Sequence, residues 1–407
     1  MRLRRTASVT RRAALALGMA VALIALGAEG ADAVATEGEY VGPSAGPTAP
    51  TAEKPESKLW FTDGTWWSVM IGDTGGHRIF RLNADTQAWS DTGVVVDTRS
   101  TAHVDALFSG SKLYVASHVF RANGGASGNP SRLYRFSYDA AANRYTLDGG
   151  FPQTINDWSA ETLVIAKDSV GRLWATWTQQ GAVWVNRTTS GDSAWGTPFA
   201  LPGGGSIASD DISSVIAYGG NRIGIMWSDQ NGDQSMKFVS RADSATFSPT
   251  PTFSAVEVAI AGSGIADDHI NLKTDSSGRI FAATKTSKDN DSDPQVLLLI
   301  RGAAGGWTSR TVGRVVDNHT RPIVLIYERQ ENPRLYVFAT ASDLERIYFK
   351  ETSLANPSFT TGLGTPAIDG AAVNDATSTK ANLSDASDLL VQASGSSYRH
   401  YWKPLPK

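Results

Sequence analysis

The chain has 407 residues, no cysteine, 39 glycines, 12 tryptophans and a formal charge of −3. That profile fits a turn-rich, mostly β protein and excludes a disordered or membrane-spanning one. The mildly acidic balance argues against nucleic acid or an anionic membrane as a partner, and without cysteine the stability must come from the core.

The N-terminus reads as a targeting segment. Arg2, Arg4, Arg5, Arg11 and Arg12 precede an apolar run, and Ala33-Val34-Ala35 makes a small-x-small cleavage site. The run is too short and too rich in Gly and Ala for a membrane span. Thr10-Arg11-Arg12-Ala13-Ala14-Leu15 resembles a twin-arginine export signal, with an arginine-rich Sec signal as the alternative. Residues 1–35 are expected to be removed after Ala35 and the remainder to be secreted from a bacterium. Losing five arginines against Glu29 and Asp32 takes the formal charge to about −6. Residues 36–57 carry Gly42-Pro43, Gly46-Pro47 and Pro50 and read as a flexible linker with no core of their own.

From residue 58 to 407, short apolar-alternating runs are separated by Gly, Asn, Asp and Ser clusters, and no segment of helix length has a 3.6-residue period. A turn, a basic residue and a β-rich run recur at Lys112, Arg172, Arg222, Arg279 and Arg334, with spacings of 50 to 60 residues. Weaker copies at Gly64-Thr65-Trp66-Trp67 and Ser387-Asp388-Leu389-Leu390 make seven units. In the third unit the predicted strands are 162–167, 173–178, 182–187 and 196–201. Four short strands per unit of about 50 residues predict an all-β, seven-bladed β-propeller over 58–407, expected as a monomer. The last unit shows strands near 379–383, 389–393 and 398–403, so its fourth is expected from the segment before Lys58. Most tryptophans, Trp177 and Trp227 among them, fall in predicted strands and read as wedges between blades. Trp158, in a connecting segment, is the candidate for stacking on a sugar.

The first strand of each blade lines the central channel of a propeller, and its start opens on one face. The residues placed there are His103 with Asp105, Glu161, Asp210 with Asp211, Asp267 with Asp268 and His269, Asn318 with His319 and Arg321, and Asn374 with Asp375. Second-strand ends add His118 and Lys285, and the first strands themselves carry Lys273 and Lys380. Strand alternation sets His269, Asn271 and Lys273 on one side. A bland reading stands beside the reactive one, because Asp and Asn before a strand often cap turns. The candidate catalytic set is His103, Glu161, Asp211, Asp268, His269, His319 and Arg321. The candidate binding set is Asp105, His118, Trp158, Lys273, Lys285, Asn374 and Lys380.

Three chemistries fit these residues. In β-elimination on an acidic polysaccharide, Arg321 or Lys273 neutralises a uronate while His269 or His319 moves the proton. In hydrolysis, Glu161 pairs with Asp211 or Asp268. The third is a Ca²⁺ on the axis, held by Glu161, Asp211, Asp268, Asn318 and Asn374, as in a lactonase- or esterase-like propeller. The residues at equivalent positions differ from blade to blade, which favours one composite site over a repeated glycan-binding module.

The motifs Asp168-Ser169-Val170-Gly171-Arg172-Leu173-Trp174 and Asp275-Ser276-Ser277-Gly278-Arg279-Ile280-Phe281, with the blade period, resemble the secreted seven-bladed propellers of the sialidase-like, BNR-repeat group. The resemblance implies an extracellular glycan or polysaccharide as the partner, handled by a hydrolase, a lyase or a lectin. Two departures argue against a true sialidase. The Asp-Gly turn sits between first and second strands, and only Arg321 stands where three arginines would hold a substrate carboxylate.

Overall fold

The computed structural model describes residues 37–407, apart from 44, 45, 48, 245, 250, 330, 396–398, 406 and 407. The targeting segment and its cleavage position lie outside the described residues. Seven antiparallel sheets follow one another in chain order. Blade one is Leu59–Thr62, Thr65–Ile71, His77–Asn83 and Ala88–Asp97; blade two is Ala102–Ser109, Lys112–Val119, Ser127–Asp139 and Gln153–Trp158, with Arg144–Leu147 added beside its third strand. Blade three is Val164–Lys167, Leu173–Gln179, Ala182–Arg187 and Phe199–Gly205. Blade four is Ser213–Tyr218, Arg222–Asp229, Ser235–Ala242 and Glu257–Ala261; blade five is Ile270–Thr274, Ile280–Lys285, Pro294–Arg301 and Trp307–Arg314. Blade six is His319–Tyr327, Arg334–Ala341, Arg346–Ser353 and Thr365–Ile368. This is the seven-bladed propeller that the sequence period predicts. Among the described residues the only helix is one 3₁₀ turn, Val315–Asp317, and no helix is long and apolar enough to cross a membrane.

Local chemistry explains the hairpins. Asp63 and Gly64 both adopt positive φ, 51° and 71°, between Thr62 and Thr65, which pair directly. A two-residue turn of this hand matches the twist of its strands, and Asp-Gly adopts it readily. In blade three the Asp168 carboxylate accepts from the backbone N–H of Arg172 at 2.7 Å and from Trp174 Nε1 at 2.9 Å. Asp275 accepts from Arg279 N at 2.9 Å in the same way. The repeated Asp-Gly motif therefore builds the turn between first and second strands.

The seventh blade joins the two ends of the described chain. Val373–Thr377, Leu389–Gly395 and Arg399–Leu405 are completed by Gly38–Val41, which pairs antiparallel with Arg399–Trp402. The ring thus has no gap between its first and last blades. The expected linker is built into the molecule in two places. It supplies this strand, and its residues Thr51, Glu53, Lys54, Glu56 and Ser57 are all buried. The expected first strand at 379–383 is displaced: the strand is Val373–Thr377, and the later stretch is a loop. Its strand-like reading has a cause, because Thr379 and Leu383 make isolated bridges to Leu59 and Tyr327.

Aromatic wedges fill the spaces between blades. Trp60, Trp67, Trp174, Trp177 and Trp227 are at most 2 % exposed, in apolar clusters that span neighbouring blades. Burying such rings is the largest apolar contribution available to a chain with so few charges.

Candidate functional site

Residues 51–57 enter the mouth of the channel where the inner strands begin. Thr51 N donates to Ser394 Oγ at 2.8 Å, and Thr51 Oγ1 donates to Asp375 O at 2.6 Å. Deeper in, Asn271 Nδ2 donates to Lys54 O, and Ser57 N donates to Asp105 Oδ1 at 2.9 Å. The segment thus touches blades two, five and seven before blade one begins.

Lys54 is the centre of the mouth. Its Nζ lies 2.5 Å from Glu161 Oε1, 2.6 Å from Asp268 Oδ2 and 3.5 Å from Glu53 Oε2. Burial opposes its charge, but Asp268 and Glu161 outweigh that and hold the ammonium well above its ordinary range. The two carboxyls respond oppositely. Burial pushes Glu161 up, despite Lys54. Burial also opposes ionisation of Asp268, but His269 and Lys54 prevail and hold it far below the usual carboxylate range. One lysine therefore faces two neighbouring carboxyls that are shifted in opposite directions. Burial takes Glu53 up to about 7.

His269 adjoins this pair. Its Nδ1 contacts Asp267 Oδ1 and lies 2.6 Å from Asp268 Oδ1, and its Nε2 lies 3.3 Å from Thr320 Oγ1. Lys285 Nζ holds Asp267 Oδ2 at 2.7 Å. Arg321 Nε pairs with Asp375 Oδ1 at 2.6 Å, and the Asp375 carboxyl is raised by burial although Arg321 and Lys54 oppose this. Asp268 and Arg321 are the most open side chains of the group, 22 % and 33 % exposed.

Of the expected catalytic residues, Glu161, Asp268, His269 and Arg321 come together. The others do not. His103 stacks on Phe120 with ring centroids 4.5 Å apart, and burial drives its pKa well below the ordinary value. Asp211 accepts from Ala208 N at 2.7 Å and from Gln230 N at 3.1 Å, organising its own loops. His319 lies in the wall, where a Cβ on Gly313 would meet its Nδ1; burial and Lys350 bring it down to about 4.

The expected binding residues are also dispersed. Lys285 sits at the mouth on Asp267. His118 is fully buried behind it, with Nδ1 donating to Ala160 O at 3.1 Å and Nε2 at 2.7 Å from Glu56 Oε1. Trp158 ends the outer strand of blade two and packs so closely on Gly125 that a Cβ there would lie 2.2 Å from its Nε1. Asn374, half-buried, stands in the inner strand of blade seven. Asp105, Lys273 and Lys380 lie deeper in the channel. There Asp105 accepts from Ser57 N, from Ile165 N at 2.8 Å and from Lys380 Nζ at 2.6 Å.

The expected axial Ca²⁺ set does not converge, since Asp211 serves its own turn and Asn318 caps the 3₁₀ helix. Asp267, Asp268 and His269 do place one ligand atom each within 4.8 Å of one another. Lys285 and Lys54 already hold those carboxylates, so a divalent cation would have to displace both ammonium groups. The set fits a metal poorly.

Sequence reasoning missed Glu53, Lys54, Glu56 and Lys58. Glu56 is fully buried and binds Lys58 Nζ at 2.9 Å, His118 and Leu163 N. Burial opposes its charge, but Lys58 and His118 hold its carboxyl well below the usual range. The signal available was the alternation of opposite charges in Glu53-Lys54-Pro55-Glu56-Ser57-Lys58, directly after the Pro- and Gly-rich stretch.

No protein-family model matches the chain, and among curated proteins none matches it. Solved structures are similar in fold. An ulvan lyase of a polysaccharide lyase family, bound to -[GlcA(1-4)Rha3S]-, is 9 % identical with a TM-score of 0.51, over 89 % of this chain and 94 % of that one. A protein of unknown function from Dyadobacter fermentans is 11 % identical with a TM-score of 0.48, over 75 % and 95 %. An α-L-arabinanase from Penicillium chrysogenum in complex with arabinobiose is 11 % identical with a TM-score of 0.44, over 78 % and 99 %. At such identities the likeness is one of fold.

Proposed function

We propose that this is a secreted propeller acting on an extracellular polysaccharide by acid–base chemistry at the channel mouth. The observation that carries the reading is the split between Glu161 and Asp268, which share Lys54 yet have their carboxyls shifted in opposite directions, Glu161 up and Asp268 down. Groups whose environments push their pKa values apart are the usual assignment of acid and base. Asp268, ionised and partly open, takes the base role, with His269 beside it. Glu161 is the proton donor. Arg321 is the open cation that would meet a substrate carboxylate, exchanging Asp375 for it. The N-terminal segment with the features of an export signal supports secretion, and the similarity in fold to an ulvan lyase agrees with a glycan substrate, as an analogy.

One observation favours a second reading, a non-enzymatic glycan-binding propeller. Lys54, Glu161, Asp268, His269, Arg321 and Asp375 are each already paired within the chain. The test is a panel of uronate-containing and neutral polysaccharides, with absorbance near 235 nm and reducing ends followed together. A rise in both marks a lyase; reducing ends alone mark a hydrolase. Silence in both with retained binding would establish the binding module and end the enzymatic reading.

A further inference from the structure

Below the inserted segment the channel widens into a cavity of about 320 Å³. Pro55, Glu56 and Ser57 form its upper wall, and its sides come from the inner strands of blades two to six. Its other end is crossed by the blade-seven loop that follows Val373–Thr377. Lys380 reaches from that loop across to Asp105 and Ile165 O at 2.8 Å, while Asn382 Nδ2 donates to Thr274 O on blade five, also at 2.8 Å. On the blade-four side the cavity meets a shallower groove that shares Lys167, Ala217 and Thr274 with it.

The wall of this cavity holds an ammonium group that lacks a counter-ion. Lys273 is 3 % exposed. Its Nζ donates to Thr379 O and, at 3.3 Å, to Ala381 O, and among the described residues it makes no ion pair with a carboxylate. Burial, and then the charge of Lys380, drive its pKa well below the ordinary value. A buried ammonium that meets only carbonyl oxygens is disfavoured relative to one paired with a carboxylate. The remaining lining suits a hydroxylated body. Ser109 and Ser214 line it together with Leu107, Ile216 and Leu272. Small-molecule sites combine apolar wall with a few placed polar groups. The other charged residues of the lining, Glu56, Lys167 and Lys380, already have partners in Lys58, Tyr114 and Asp105.

We propose that this cavity is a second binding site, taking a small sugar acid whose carboxylate completes the coordination of Lys273. The site is separate from the mouth, and the inference does not depend on the reaction assigned there. The ligand is monoanionic, since Lys380 already has Asp105. Its size is that of a single ring, and the adjoining groove leaves one edge of that ring open to substitution.

Calorimetric titration of the full chain tests this, with D-glucuronate as probe, D-glucose as its neutral counterpart and sulfate as a bare anion. The expected result is that glucuronate binds at least tenfold more tightly than either comparison, and that Lys273→Gln removes at least tenfold of that affinity. Should Lys273→Gln fail to fold, Ser214→Leu, which narrows the cavity from the neighbouring blade, is expected to cause the same loss. The proposal is overturned if glucuronate does not bind, if glucose binds equally well, or if a folded cavity variant keeps the parent affinity. Sulfate binding as tightly as glucuronate overturns the sugar-acid assignment. Loss of binding in Arg321→Gln but not in the cavity variants places the ligand at the mouth and likewise overturns it.

Discussion

The two ends of the channel handle buried charge in opposite ways. At the mouth every charge has a partner: Lys54 with Glu161 and Asp268, Asp267 with Lys285, Asp375 with Arg321, and, behind them, Glu56 with Lys58 and His118. In the cavity, Lys380 is paired but Lys273 meets only backbone carbonyls. The difference follows from what fills each end. A stretch of alternating charge from the N-terminal side enters the mouth and neutralises it. The loop that crosses the other end brings one lysine and no carboxylate to Lys273. Paired buried charges hold a structure in one arrangement, whereas an unpaired one marks a place where a ligand can supply what is missing.

The largest effect is expected at the mouth. Lys58→Met removes a fully buried ammonium and leaves the Glu56 carboxylate with only His118 and the backbone N–H groups of Leu163 and Glu53, and should destabilise by about 3–5 kcal/mol in denaturant unfolding. A loss below about 1 kcal/mol would mean that the inserted segment contributes little to the fold, and the contrast between the two ends would collapse. Trp227→Ala, which opens a gap between blades three and four, should cost a similar 3–5 kcal/mol and calibrates the first figure against ordinary packing.

Next come the groups that divide the proton. Glu161→Gln and Asp268→Asn should each lower turnover on the responsive polysaccharide by about 10²–10⁴-fold, and each should destabilise less than Lys58→Met because Lys54 keeps the other carboxylate. Unchanged turnover in both would remove the mouth from the chemistry and leave it as a structural clasp.

How far the sequence reveals this site can be argued from two residues. The blade period and the hairpins are legible because each depends on local turn chemistry, such as Asp63-Gly64 or the Asp168 carboxylate, repeated along the chain. Blade three, expected at 162–167, 173–178, 182–187 and 196–201, coincides with the observed third strand and differs at any other strand end by at most four residues. Strict alternation would set His319 on the same side as Arg321. A register shift between Thr320 and Ile323, with Arg321 at φ 49°, breaks that alternation. It sends Thr320 to His269 and His319 into the wall, and its one residue-level cue is Pro322, which cannot donate to the ladder. Lys54 was missed for a different reason. A Pro- and Gly-rich stretch has the composition of a linker, and its burial depends on carboxylates more than a hundred residues away, on other blades.

The histidines of the wall give a pH test. Burial holds both His77 and His400 near 3, against an ordinary value of 6.5. Each is therefore neutral in the folded state and takes up a proton more readily when unfolded. The stability this contributes is fully present above pH 6.5 and is lost as pH falls towards 3, at roughly 1.4 kcal/mol per pH unit for each group. Glu53, raised to about 7, acts with the opposite sign, favouring the fold below its ordinary value and losing that share as pH rises towards 7. The useful measurement is a difference. His400→Phe should flatten the stability profile between pH 6 and 4 relative to the parent, and an unchanged slope would contradict a neutral His400.

The smallest effects are expected where the ring closes, which sharpens what the mouth contributes. The closing strand carries the ion pair Arg399–Glu39, whose partners are 39 % and 38 % exposed. Solvent screens such a pair, so Arg399→Ala should cost no more than about 0.5 kcal/mol. The same strand places Gly38 flat against the Trp402 indole, where an added Cβ would fall 2.2 Å from the ring. Gly38→Ala must therefore push the strand or the ring aside and should cost about 1–3 kcal/mol. If the order were reversed, with Arg399→Ala the more damaging, charge rather than contact would hold the ring shut. The ion pairs at the mouth would then be typical of this protein instead of the consequence of being buried.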